Sequence, residues 1–228
     1  MLWYKAWLET RWRMMMPVAI VLFVLVTGHN SGRLLPGQRS ALNVLPFFWL
    51  FLPLMVAGSG IDTETPFRVM KGVSGSTTFI LSLPVSRLRL FTVRLLFGMI
   101  ATVGFIVGAC SLAWLAFPEV SASVTMHDGA GYVVTALACG YAILGLATFF
   151  ATFFDQQIRI LACMAAILLP RWLIGLVHAP ESLDVFRVAG EASPLITHVM
   201  PWASVSLLFG LGTLFLLAAL KVIQTREY

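Results

Sequence analysis

The sequence predicts an all-α integral membrane protein with six transmembrane helices, an N-terminal interfacial helix and both termini in the cytoplasm. Three observations lead to this prediction. Hydrophobic residues form 59% of the chain and charged residues 11%, whereas a soluble domain carries about 25% charged residues. The charges are clustered, so that long uncharged stretches separate them. Lysine and arginine are concentrated on alternate connections between those stretches, as the positive-inside rule describes.

Six apolar stretches are long enough to cross a hydrocarbon core ~30 Å thick, which takes about 20 helical residues. The stretches 14–32, 40–61, 95–118, 129–154 and 192–220 contain no charge, and only Arg171 interrupts the sixth, 160–180. The sequence thus predicts one transmembrane domain over residues 1–228, with its spans at about 14–32, 42–61, 90–117, 131–153, 158–177 and 201–223.

Residues 1–13 mix tryptophan and tyrosine with lysine and arginine. Aromatic rings of this kind favour the headgroup level, and basic side chains favour anionic lipid. This pattern predicts a helix lying in the membrane interface. The apolar stretch after it could be a cleaved signal peptide, but the preceding region is long and contains Glu9. We interpret the stretch as a signal anchor, the first span.

The orientation follows from the basic residues. With the N-terminus inside, every lysine and arginine lies on the cytoplasmic side except Arg33, Arg39, Arg187 and the intramembrane Arg171. Aspartate and glutamate divide evenly between the two sides, as expected if they do not follow the rule. The net charge of +5 therefore reflects membrane orientation and does not predict nucleic-acid binding.

The sequence offers little that predicts chemistry within the chain. Gly72–Thr77 resembles a phosphate loop, but no lysine follows Gly75, and that lysine is needed to reach the nucleotide phosphates. The four histidines fall on the outer side without metal-ligand spacing, and we interpret them as isolated. The three cysteines lie within predicted spans and indicate no disulfide framework. We expect no catalytic residue, no metal site and no cofactor on this chain.

Two further patterns concern the spans themselves. All aspartates and glutamates lie outside the predicted spans, which weakens the hypothesis of an ion-coupled carrier, since such carriers usually need intramembrane acids. The third span carries a face of small residues that predicts close helix packing: Ala101, Gly104, Gly108 and Ser111.

The inner segment 62–89 is longer than a simple connection requires. Within it, residues 76–83 are expected to form a short helix that ends at Pro84. Phe79, Ile80 and Leu83 group on one apolar face of that helix. Such a helix either lies on the membrane surface or docks in a groove of a soluble partner.

This segment resembles the ABC-2 type permeases. The resemblance rests on the acidic entry Asp62-Thr-Glu64, the run from Thr77 to Arg87 (TTFILSLPVSR) and the basic start of the third span. Members of that family commonly have a glycine beside Thr77 within an acid-then-GT pattern, and Gly75-Ser76-Thr77 matches it only approximately.

The resemblance implies the transmembrane subunit of an ATP-binding cassette exporter in a prokaryotic inner (plasma) membrane. Its coupling residues toward a cytoplasmic ATPase subunit would be Glu64, Phe79, Ile80, Leu83 and Pro84. ATP and Mg would bind to that partner, and a second permease copy or a paralogue would complete the pathway. The resemblance also implies short half-helices that dip into the membrane at about residues 193–202.

The expected cargo is an amphipathic or hydrophobic peptide, antibiotic or lipid-like molecule moved outward. Arg171 is a candidate for the substrate pathway or outer gate, because intramembrane charges usually face the protein interior. It could also snorkel to the outer headgroups. Two other classes stay open: a membrane-embedded enzyme acting on lipids, and a scaffold or sensor subunit that does not transport.

Overall fold

The computed structural model of the chain describes most of its C-terminal two thirds and parts of its N-terminal third. The described residues are 17–23, 52–57, 87–116, 124–154, 156–177 and 184–225, together with Tyr4, Trp7, Arg11, Met14 and Met15. All regular structure in this part of the chain is helical. Six helices in it have defined bounds: α1 Arg87–Ala116, α2 Met126–Ala151, α3 Gln156–Val177, α4 Val185–Ala189, α5 Pro194–Thr197 and α6 Trp202–Thr225.

Three of these helices are long and apolar enough to cross a membrane, judged by length and composition. They are α1 over Leu88–Leu115, α2 over Met126–Ala151 and α6 over Trp202–Thr225. Helix α3 has 22 residues, of which Ile158–Leu169 is an apolar stretch. A helix that is apolar on all sides is stable only in a large core or in lipid. The chain therefore has the helical character of a membrane protein.

Helix α2 occupies the centre of the described bundle. It is in contact with α1, α3, α4, α5 and α6. Its buried face is rich in small side chains, which let neighbouring backbones approach closely: Ala136, Ala138, Cys139, Gly140, Ala142, Gly145, Ala147 and Ala151. Thr125 caps the start of the helix, where its hydroxyl accepts a hydrogen bond from the Asp128 backbone N–H at 3.2 Å.

Contacts along α2 fix the direction of its two long neighbours. Helix α1 runs antiparallel to it, because Gly98 faces Leu144 whereas Trp114, farther along α1, packs on Gly129. In contrast, α6 runs parallel to α2. The Tyr141 ring lies 5.4 Å from that of Phe209, and the Phe149 ring lies 5.8 Å from that of Phe215.

The described N-terminal pieces also alternate in direction. Trp7 packs edge-on against Phe97 near the start of α1, with ring centroids 6.2 Å apart. Val21 shares an apolar cluster with Ala109, farther along α1. This first piece therefore runs parallel to α1.

A second piece, residues 52–57, runs parallel to α2. Its Pro53 lies at the level of Gly140, and its Val56 lies at the level of Gly98 and Leu144. A higher residue number in 52–57 therefore corresponds to a higher residue number in α2, which means that the two segments run in the same direction.

These directions bring most described basic residues of the long helices to one end of the bundle. Arg87, Arg89 and Arg94 lie at the start of α1, Arg159 at the start of α3 and Lys221 near the end of α6. Arg171 lies farther along α3. We call this end the basic end, and the end at which α2 and α6 begin the opposite end.

The small-residue face predicted for close packing in the third span has no such contact in the described part of the chain. No described residue lies within 4 Å of a Cβ placed at Gly104 or Gly108. Close glycine packing occurs instead between α2 and α6, where Gly145 lies against Gly212. The motif spacing could not locate this contact, because the two glycines belong to different helices.

Candidate functional site

The segment 184–200, between α3 and α6, enters the helix bundle instead of covering its end. The Cys139 thiol lies 4.0 Å from the Val185 carbonyl oxygen. Cys139 is 13 residues into α2, so Val185 lies about 20 Å along that helix at 1.5 Å per residue. We call residues 184–200 the inserted segment.

Burial along the inserted segment follows this geometry. Val185, Phe186, Val188 and Ala189 are buried and belong to the main apolar cluster of the bundle. Residues 196–199, by contrast, are exposed. The segment therefore rises from the core at α4 to the surface beyond α5.

Asp184 caps the deep end of the inserted segment. One of its carboxylate oxygens accepts hydrogen bonds from the backbone N–H groups of Phe186 at 3.0 Å and Arg187 at 3.2 Å. The residue is 6% exposed. Such a cap satisfies N–H groups that a helix start leaves without partners. The sequence places Asp184 outside the spans, whereas the structure buries it beside Val185, at the level of Cys139 in α2.

The middle of the inserted segment packs on the first turns of α2. A Cβ placed at Gly131 would lie 3.2 Å from the Pro194 ring and 3.4 Å from the Met200 sulfur. The buried Ser193 hydroxyl makes no hydrogen bond within the described residues. Glycine at position 131 is thus what allows α5 to lie directly on α2.

The outer end of the inserted segment is joined to α2 by a hydrogen-bonded pair of side chains. His198 Nδ1 lies 2.8 Å from Asp128 Oδ2. The Asp128 side chain is 8% exposed and that of His198 is 67% exposed. The neighbouring His127, which is 90% exposed, lies 3.7 Å from the other carboxylate oxygen. The sequence interpretation of isolated histidines is therefore wrong for His198, since its partner is 70 residues away in the chain.

The basic end contains two arginines that the sequence places on the cytoplasmic side and that the structure buries. Arg159 lies in the first turn of α3 and is 0% exposed, and Arg94 in α1 is 8% exposed. Thr148 and Thr152 are buried at the same end of α2. Burying a guanidinium is costly unless polar groups surround it. Two arginines and two threonines are thus buried at this end of the bundle.

An aromatic cluster adjoins the basic end. Phe149 of α2 lies 5.2 Å from Phe153 and 5.8 Å from Phe215 of α6, and Phe150 lies 5.8 Å from Phe154. Phe153 and Phe154 are partly exposed. Aromatic rings at the end of an apolar helix are typical of the level where hydrocarbon meets headgroups.

The site residues expected from the sequence lie mostly outside the described part of the chain. Glu64, Phe79, Ile80, Leu83 and Pro84, which form the expected coupling site, are all outside it. Arg171 lies within α3, which continues without a break through Pro170, but its side chain is outside the described set.

The described side chains do not assemble a metal site. Within the described residues no group of three or more histidine, cysteine, aspartate or glutamate side chains could hold a metal ion. The candidate site is a chain segment that enters the middle of an apolar bundle and is hydrogen-bonded to α2 at its outer end. Comparison of the chain with protein families, with characterised proteins and with solved structures gives no match.

Proposed function

We propose that the chain is the transmembrane permease subunit of an ATP-binding cassette exporter of the ABC-2 type. The observation that supports this most is the inserted segment. Its helix α4 lies at the level of Cys139, and its helix α5 lies on the first turns of α2, toward the end at which α6 begins. The resemblance of residues 62–94 to ABC-2 permeases implies short half-helices in this part of the chain, so the two features agree.

The alternating directions of the described pieces support six spans with both termini in the cytoplasm. The first piece and α1 run one way, while residues 52–57, α2 and α6 run the other way. The arginines and lysine at the basic end then face the cytoplasm, as the positive-inside rule requires. On this proposal the protein is a multi-pass protein of a prokaryotic inner membrane.

On this proposal the chain moves an amphipathic or hydrophobic substrate outward. The substrate is a peptide, an antibiotic or a lipid-like molecule. ATP and Mg bind to a separate cytoplasmic ATPase subunit, and this chain is not an enzyme by itself. Its segment 62–89 docks on that subunit through the face formed by Phe79, Ile80 and Leu83, with Glu64 as a polar anchor. A second copy or a paralogue supplies the other half of the pathway.

The test is co-purification from native membranes followed by reconstitution in lipid nanodiscs. An ATP-binding cassette subunit should purify with the tagged chain, and its ATP turnover in nanodiscs should depend on the chain. An ATPase that turns over equally with and without this chain argues for a scaffold or sensor subunit. Absence of any ATPase partner, together with turnover of a lipid, argues for a membrane-embedded enzyme.

A further inference from the structure

The inserted segment is held at both of its ends by different means. At the deep end it is held by apolar packing, with Val185 and Phe186 inside the core cluster. At the outer end the described contacts include one short side-chain pair, His198 with Asp128 at 2.8 Å. The middle lies against Gly131 through Pro194.

The local backbone on both sides positions the side chains of His198 and Asp128 next to each other. His198 has a φ of 54° and is the one non-glycine residue with positive φ in the described part of the chain. A left-handed conformation is unfavourable for a residue with a Cβ. On the other side, Thr125 anchors the backbone of Asp128 at the start of α2. His198 is the left-handed C-cap of α5, with its backbone N–H donating to the Pro194 carbonyl oxygen, and this turn places its imidazole beside the nearly buried Asp128 carboxylate.

Beneath the segment lies Cys139, whose side chain is 0% exposed. The Val185 carbonyl oxygen lies over its thiol. The buried helix α4 therefore covers Cys139 on the side of the inserted segment. Cys139 is consequently a native reporter of the position of the inserted segment.

We propose that the Asp128–His198 pair is a latch that holds the inserted segment in the bundle, and that its release opens the opposite end of the bundle down to Cys139. The latch joins the outer end of the segment to the start of α2. Once it is broken, the apolar packing of α4 holds the segment without this added contact, so the whole segment leaves the bundle more often and uncovers Cys139. The inference rests on the geometry of these residues and does not require the proposed ATPase partner.

Other charged groups of the described elements do not substitute for the latch. His127 is next to Asp128 but belongs to α2 itself, so it cannot join the segment to the bundle. Helix α5 contains no charged residue. Arg187 follows the deep end of the segment, and Glu191 is exposed. His198 lies at the outer end of the segment, and its imidazole faces α2.

The experiment measures modification of Cys139 by a small water-soluble thiol reagent in purified protein in lipid nanodiscs. Cys110 and Cys163 are replaced by alanine so that Cys139 is the single thiol. The latch is then weakened by Asp128→Asn or broken by His198→Gly. Glycine adopts the left-handed conformation readily, so His198→Gly removes the imidazole without backbone strain and leaves no side-chain donor for Asp128.

We expect each latch variant to raise the modification rate of Cys139 by about three- to tenfold, the range for losing a partly exposed charge-assisted hydrogen bond. His127→Asn is the matched control, since it removes an adjacent exposed imidazole without touching the segment, and the rate should not change. A parallel series that retains only Cys163 reports general loosening of the bundle and should also stay unchanged.

An unchanged Cys139 rate in both latch variants would overturn the proposal. So would an equal rise in His127→Asn, or an equal rise at Cys163, because either would show a general effect on the bundle. If Asp128→Asn disturbs the start of α2, His198→Gly decides the question alone, since it lies outside that helix.

Discussion

Gly145 of α2 lies against Gly212 of α6 so closely that a Cβ placed on Gly145 would be 2.5 Å from the Gly212 carbonyl oxygen. A Cβ placed on Gly212 would in turn be 2.6 Å from the Tyr141 ring. Because the obstructing atom at Gly145 is backbone, a methyl group there could be accommodated only by moving α6. Beside this contact the Tyr141 hydroxyl lies 3.1 Å from Thr213 Oγ1, which fixes the register of the two helices.

We predict that Gly145→Ala destabilises the bundle by about 1–3 kcal/mol, the usual cost of overpacking. Thermal unfolding of the purified protein in detergent measures this. Gly210→Ala is the matched control, since nothing described lies within 4 Å of a Cβ at that position. Equal melting temperatures for the two variants would show that α6 can shift freely on α2.

The cap at Asp184 gives a second prediction. Asp184→Ala removes the acceptor for two backbone N–H groups and should cost about 0.5–2 kcal/mol, whereas Asp184→Asn retains an oxygen acceptor and should lose less. Glu191→Ala removes an exposed acid from the same segment and serves as the control. If asparagine destabilises as much as alanine in thermal unfolding, the carboxylate charge itself is required.

The third prediction concerns orientation in the membrane. Cysteines introduced at Ser86 and Thr225 should be shielded from an impermeant thiol reagent in intact cells, and one at Ser123 should react. The reason is that the basic end faces the cytoplasm if the positive-inside rule holds. Labelling at Ser86 from outside would reverse the orientation and remove the docking assignment with it.

The fourth prediction concerns the docking segment. If segment 62–89 docks on an ATPase subunit as proposed, Leu83→Asp puts a charge into an apolar contact, which costs several kcal/mol without a partner. Assembly with the ATPase or its stimulated turnover should then be lost while the chain still inserts. Thr78→Asp puts the same charge on the other side of the predicted helix and should be tolerated. Normal coupled ATPase activity in Leu83→Asp would contradict the assignment.

Arg171 gives the fifth prediction. It lies 12 residues after Arg159, about 18 Å farther along α3. If it faces the substrate pathway, Arg171→Ala and Arg171→Leu should retain basal ATPase activity but lose transport in a reconstituted complex. Lysine should rescue only in part, because it lacks the bidentate fork of arginine. Transport at the wild-type level in Arg171→Leu would identify a residue that merely snorkels to the headgroups.

The long helices could be predicted closely from the sequence, because uniform apolar composition over 20 or more residues is itself the signal. Helix α1 at Arg87–Ala116 begins three residues before the predicted span 90–117, and α6 at Trp202–Thr225 lies within two residues of the prediction 201–223. The all-helical, membrane-type character of the described chain is confirmed.

The inserted segment could not be predicted from its residues in the same way. Helices of five and four residues are too short to show a period, and the burial of Asp184 depends on where α2 lies. The pair of His198 with Asp128 joins positions 70 residues apart, and only packing brings them together. Half-helices near residues 193–202 were expected only from the family resemblance. That expectation did not include the earlier short helix, which begins at Val185.

The parallel arrangement of α2 and α6 has a consequence for biogenesis. Gly212 follows Gly145 by 67 residues (212 − 145), and at 5–20 residues per second a ribosome takes about 3–13 seconds to synthesise that interval. During this time the central helix is already made while its closest neighbour is not. A nascent chain must therefore shield the glycine face of α2 with lipid, the translocon or a chaperone until the last helix arrives.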